Sequence, residues 1–247
     1  MHLIFFIYLF FSITNVFSQF LPMVKIGNQI WMQKNFENIS FRNGDEIKEI
    51  KSKEDWINVG YREEPAWCYY NFDSKNAEFG KFYNYFALSD SRNIAPIGWK
   101  VPTFQDFYIL VHSLDPLCSK AYFVNNGSLA GGSLKIKDSD VWLESNCPQI
   151  SSDFNAIAAG GYSPSIEYPE YDWDKLGEKA MFWCLTDWGS LADFIDDSHI
   201  DKYVKNMHSG KFKDKALVIR LKNSSCLVDV DDDPKHYGYS LRLLKED

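Results

Sequence analysis

The segment from Gly98 to Val111 reads GWKVPTFQDFYILV, and the fold turns on it. A glycine turn delivers Trp99 into a short extended run, and Pro102 stands just before Thr103. Thr103 and Asp106 occupy the two ends of a capping box, with Asp where Glu is usual. Phe104, Phe107, Tyr108, Val111 and, further on, Leu114 recur at helical spacing. One face of this helix is therefore core, and Trp99 is expected to be buried beside it. Nothing in the segment can act as a nucleophile with its base. Its content is architectural.

Working outward, VKIGNQIWMQKNF reads as strand over Val24, Ile26, Ile30 and Met32, with Gly27-Asn28 as a turn or bulge. Asn43-Gly44, between apolar residues, predicts a hairpin turn. SKEDWINVG predicts a short helix capped by Ser52 and ended at Gly60. Lys81 to Leu88 suits another short helix after Gly80. AGGSLK and FNAIAAGGY read as glycine-containing turns. Neither is a phosphate loop, since no Lys-Ser/Thr follows and no βαβ unit surrounds them. Glu167 to Glu178 is a long polar, aromatic loop, KAMFWCLTDW a buried strand, and Asp193 to Lys215 a polar insert. KALVIRLKN, SCLVDVD and YGYSLRLL predict three consecutive antiparallel strands, with turns at Asn223-Ser224 and Asp231 to His236. These elements make one α+β domain.

The chain has 247 residues, 45% of them hydrophobic and 17% aromatic, enough for a sizeable core. A net charge of −8 lacks the basic footprint of a nucleic-acid binder and disfavours anionic membranes. The apolar run Leu3 to Phe11 is short for a bilayer span, and Val16-Phe17-Ser18 presents small residues ahead of Gln19. Residues 1–18 are expected to be a cleaved signal peptide and residues 19–247 the mature domain, secreted or at the cell surface, with no membrane span after cleavage. Five cysteines, Cys68, Cys118, Cys147, Cys184 and Cys226, leave at least one unpaired in a monomer. Two bridges among them can be drawn about fifteen ways, so connectivity stays open, as does burial of free thiols as small apolar residues.

GNQIWMQKNF, FRNGDEI, CYYNFD, GKFYNYFAL, PIGWKVPTFQDF, AGGSLK, FNAIAAGGY, FWCLTDW and GYSLRLLKED, in this order, resemble the Fibrobacter succinogenes major paralogous domain over nearly the whole mature chain. The resemblance implies a secreted or surface protein of Bacteroidota or Fibrobacterota type. It also implies a C-type-lectin-like fold, shared with formylglycine-generating enzymes: twisted antiparallel sheets, paired N- and C-terminal strands, two flanking helices and long loops. It supplies no catalytic residues. What it carries over is scaffold: Trp31, Asn35, Tyr70, Gly80, Tyr83, Gly98, Trp99, Pro102, Gly131, Gly132, Phe154, Gly160, Gly161, Trp183 and Arg242. The chain departs from the family pattern at WCLTD and at Arg242-Leu243-Leu244, where a cysteine is usual.

Three chemistries come into question. DVDDDP clusters Asp229, Asp231 and Asp233, hard oxygen ligands that suit calcium. It does not meet the D-x-D-x-D-G pattern, and a solvated acidic turn is the simpler reading. The histidines are scattered, so zinc is not expected, and no G-x-S-x-G or matched cysteine pair marks a nucleophile. Sugar binding uses exposed aromatics beside carboxylates, which Tyr168, Tyr171, Asp172, Trp173, Asp187 and Trp188 supply. Packing of those rings onto the core is the competing reading. The expectation is a non-enzymatic binding module for a glycan or extracellular protein, without a cofactor unless calcium. The alternatives are a structural surface or adhesin component, and a divergent enzyme on the formylglycine-generating scaffold.

Overall fold

A computed structural model describes residues 22–246 except 121–122, 124–126, 138–139, 144–146, 148–150, 166, 169, 171 and 188–213. Among these residues, mixed helix and sheet give an α+β architecture built on three small sheets.

The first sheet begins with a hairpin. Strands β1 (Met23–Ile26) and β2 (Gln29–Met32) pair antiparallel, with Ile26 opposite Gln29. Gly27-Asn28 is the two-residue turn, and Gly27 takes the positive φ of 58° such a turn requires. The last strand of the chain, β10 (Leu244–Lys245), lies between β2 and β6 (Trp99–Lys100), so the two ends of the domain close on one another. Trp99 is corrected by this order. It sits on an edge strand, where it packs against the core from one side and is only half buried. Among the described residues, the fully buried tryptophans are Trp31, Trp56 and Trp183.

The second sheet joins β3 (Lys48–Glu49), β4 (Ala66–Cys68) and β5 (Phe82–Tyr83). Its β3–β4 pair is parallel, a departure from the all-antiparallel expectation, because helix α1 (Lys53–Tyr61) carries the chain back between them. Ser52 caps α1 by accepting from the Asp55 backbone N–H at 3.2 Å. The helix expected over Lys81–Leu88 divides. Phe82 and Tyr83 are held as strand by pairing with β4, and Asn84 then caps helix α2 (Tyr85–Ser89).

The third sheet contains β7 (Lys179–Asp187), β8 (Lys215–Lys222) and β9 (Val228–Pro234), all antiparallel. The turn expected from Asp231 is a correction too, since the ladder to β8 continues as far as Pro234. The third expected strand adds no ladder to this sheet and meets it only at a single bridge. Instead Tyr239 bridges Tyr83, Gly238 bridges Tyr162 and Ser240 bridges Phe182, so the C-terminal segment stitches the sheets together before ending as β10. AGGSLK contains a one-turn helix, Gly131–Leu134, lying on the Cys226–Leu227 backbone.

Helix α3 (Phe104–Leu114) forms as its sequence indicates. The Thr103 hydroxyl accepts from the Asp106 N–H, and Asp106 accepts from the Thr103 N–H at 2.9 Å. Phe104, Phe107, Leu110 and Val111 enter the largest core cluster with Trp31, Phe154 and Phe182. No helix among the described residues is long and apolar enough to cross a membrane.

Candidate functional site

The loop residues expected to bind ligand do not form a single exposed platform among the described residues. Tyr168 is 56% exposed. Tyr171 and Trp188 lie outside the described residues, as does the side chain of Asp187. Asp172 is 5% exposed. Its carboxylate accepts from the Ser165 N–H at 2.7 Å and pairs with Lys53 at 2.7 Å, which ties the loop to α1. Trp173 stacks on Tyr162 with ring centroids 4.3 Å apart and meets Tyr70 at 4.9 Å. The loop folds back because these rings bury large apolar areas against one another. Asp172 ties the loop to α1, and Trp173 packs onto the core as the competing reading has it for the rings.

The aspartates of DVDDDP are placed by strand, not turn. Asp229, Asp231 and Asp233 alternate along β9 and share one face. Lys222 pairs with Asp229 at 2.8 Å, and Arg220 spans Asp231 at 2.5 Å and Asp233 at 3.3 Å. The Tyr239 hydroxyl donates to Asp233 at 2.9 Å. Burial raises the Asp233 pKa, against that hydrogen bond and the Arg220 charge. Cations from β8 occupy the space beside each of these carboxylates. No group of three or more His, Cys, Asp or Glu among the described residues is placed to hold a metal ion.

A different site comes from the second sheet. Glu49 stands opposite Trp67 across β3–β4, and Cys68 stands opposite Phe82 across β4–β5. Continuing that register sets Tyr69 against Lys81. Trp67 and Tyr69 are two residues apart and share a face, so Glu49, Trp67, Tyr69 and Lys81 converge on one side of the sheet. The other side carries Cys68 and Phe82 into the core. The Trp67 indole N–H donates to the Ile47 carbonyl at 2.9 Å, which fixes the ring. Tyr69 meets it edge to face at 5.1 Å.

Opposite this face runs the segment Lys34–Ser40. The Tyr83 hydroxyl donates to the Asn38 carbonyl at 2.7 Å, and the Phe36 N–H donates to the Leu241 carbonyl at 2.8 Å, so the segment is pinned between the second sheet and the C-terminal segment. Between Lys34–Ser40 and that face lies a cleft of about 890 Å³. Trp67, Tyr69 and Lys81 line it, with Glu37, Asn38 and Glu49. Glu37 and Asn38 are exposed, so the cleft opens to solvent. Its volume falls within the ordinary range for ligand sites. Lys81 is 8% exposed, and its ammonium lies 4.8 Å from the Trp67 ring centre and 5.2 Å from that of Tyr69.

A second hollow, of about 460 Å³, shares Lys34, Asn35 and Glu37 with the first and reaches Arg242. Here the scaffold residues converge. Arg242, fully buried, donates to the Met32 carbonyl at 3.0 Å, the Phe154 carbonyl at 2.5 Å and Asn35 Oδ1 at 3.0 Å. Burial pulls its pKa down to about 9, which leaves it charged at neutral pH. Asn35 in turn donates to Phe79 and Ser240. Arg242 thus holds the Lys34–Ser40 wall in place from below.

The cysteines resolve into a Cys147–Cys226 disulfide and three free, buried thiols, Cys68, Cys118 and Cys184. Burial raises all three thiol pKa values, which makes these groups poor nucleophiles.

The aromatic density of PAWCYYNFD is visible in the sequence, but the pairing of Lys81 with Tyr69 is not. Only the cross-strand register creates it, and a helix reading of Lys81–Leu88 conceals it.

The family model of the Fibrobacter succinogenes major domain matches residues 24–245, and the chain belongs to that family. No curated protein and no solved structure matches it.

Proposed function

We propose that the chain is a secreted or cell-surface binding module that holds a glycan or a segment of an extracellular protein without transforming it. The cleft between the second sheet and Lys34–Ser40 carries this reading. It combines a rigid aromatic floor, carboxylates and an amide at the rim, and one buried cation, the composition of a preformed recognition site. The pairing of β2 with β10 near the two ends, with α1 and α3 beside the sheets, supports a C-type-lectin-like arrangement. Buried thiols of raised pKa, and aspartates already matched by Lys222 and Arg220, favour binding over catalysis and over a calcium-held ligand.

The test is a glycan array probed with residues 19–247 in calcium, in chelator, and as the Tyr69→Ala variant. Chelator-insensitive binding that Tyr69→Ala abolishes is expected. Binding lost in chelator would return the site to Asp229, Asp231 and Asp233. Binding untouched by Tyr69→Ala would remove the cleft as the site. If no glycan binds, the glycan half of the reading is wrong and a protein ligand is left.

A further inference from the structure

We infer that the cleft selects a saccharide bearing a ring carboxylate, a hexuronate, and that Lys81 is the residue that receives that carboxylate. The inference rests on the binding-module reading above and names its ligand class.

Lys81 is the least expected side chain in the cleft. Lysine is almost never buried without a partner, yet this one is 8% exposed and forms no ion pair and no hydrogen bond among the described residues. An ammonium carries three N–H donors. The faces of Trp67 and Tyr69 offset part of its desolvation through cation–π attraction, at 4.8 and 5.2 Å. Rings accept no conventional hydrogen bond, so the donors are left for whatever occupies the cleft. An anionic oxygen is the matching group, because charge-assisted hydrogen bonds are shorter and stronger than neutral ones.

The rim limits what can carry that anion. Glu37 and Glu49 line the same cleft, and Glu49 has only a loose pair with the exposed Lys51 at 3.5 Å. Ionised carboxylates accept and never donate. A ligand bearing one carboxylate must therefore also bring several donors to meet them. The hydroxyls around a uronate ring do so. An acidic peptide brings carboxylates of its own and few donors beyond its backbone. Lys34 adds a second cation to the cleft lining. The chain's net charge of −8 opposes anions at long range, but physiological salt screens that field within about 8 Å. Lys81 acts at contact distance.

The experiment is titration calorimetry of the wild-type chain with tetragalacturonate, its fully methyl-esterified form, and tetraglutamate, repeated with Lys81→Met. The ester keeps the sugar and removes the charge, so the wild-type comparison needs no variant to fold. Met keeps most of the unbranched stem and removes the charge, and a melting curve checks the variant. The acid should bind the wild type about 10- to 100-fold more tightly than the ester, and Lys81→Met should bring the two together. Equal binding of acid and ester by the wild type would overturn the role of Lys81 while leaving a glycan module intact. Tetraglutamate binding as tightly as tetragalacturonate would overturn the saccharide class. A Lys81→Met variant that melts as the wild type yet still prefers the acid would also overturn the assignment. If none of the three probes binds, the uronate inference fails, and the glycan array decides the module reading separately.

Discussion

Arg242→Met tests whether a buried cation holds the domain and its cleft together. The guanidinium has three close acceptors: the Met32 and Phe154 carbonyls and the Asn35 side chain. They belong to segments far apart in the chain, so the arginine joins β2, the Phe154 loop and the C-terminus. Methionine fills much of the volume and donates nothing. Each buried acceptor left unmet costs about 1–3 kcal/mol, or roughly 3–9 kcal/mol for the set. Removing a buried charge returns part of that, because the guanidinium no longer has to be desolvated. The expected net loss is about 3–5 kcal/mol, a large share of the total stability of a domain. Urea unfolding followed by tryptophan fluorescence measures it, since Trp31 lies in the same core. Arg242→Lys should be nearly as damaging, because an ammonium cannot span acceptors arranged for a planar fork. A loss below about 1 kcal/mol at unchanged m-value would refute the reasoning. It would mean that water or shifted backbone replaces the arginine without cost.

Other outcomes follow from the same geometry. The Cys147–Cys226 bridge closes a loop of sequence separation 79, so Cys147→Ser with Cys226→Ser should cost about 2–4 kcal/mol; equal midpoints for variant and wild type would contradict this. Native protein should resist alkylation at Cys68, Cys118 and Cys184 and take up three labels once unfolded without reductant, as mass spectrometry would show. Gly80 has a φ of 82°, and an added Cβ would stand 2.9 Å from Asn35 Cβ, so Gly80→Ala should lose about 2–4 kcal/mol and loosen the cleft wall; an unchanged melting temperature would argue against it. Lys135 donates to the Lys222 and Ser225 carbonyls, and burial lowers its pKa from 10.5 to about 8. Between those values the unfolded chain binds more protons, so its contribution to stability rises with pH over that window. The stability difference between wild type and Lys135→Met should therefore grow in favour of the wild type from about pH 8 to pH 10; a flat difference would show that burial does not shift this amine.

Where short-range chemistry decides the structure, the sequence was sufficient. Thr103 and Asp106 cap α3, Ser52 caps α1, Gly27-Asn28 turns the first hairpin, and the apolar spacing from Phe104 onward faces the core. Each depends on residues within a turn or two of one another, where the geometry of the backbone leaves few alternatives. Errors begin where partners lie far away. Phe82 and Tyr83 could have joined a helix with the residues that follow, and became strand because β4 offered a ladder. Trp99 has the sequence context of a core residue, but β6 is an edge.

The candidate site shows the same division. Composition and order of segments were enough to indicate a domain of this family, rich in aromatic rings and poor in catalytic patterns. They could not reveal that Trp173 turns inward while Tyr69 lines a cleft, since both are aromatic residues in polar surroundings. Nor could they bring Lys81 onto Trp67, or Arg242 to Asn35 across most of the chain. Those contacts depend on strand register and chain closure, set by the sum of many weak packing terms. No single stretch of sequence contains that sum, so what the protein is made of was legible in its residues, and where it can hold a ligand was decided only by the fold.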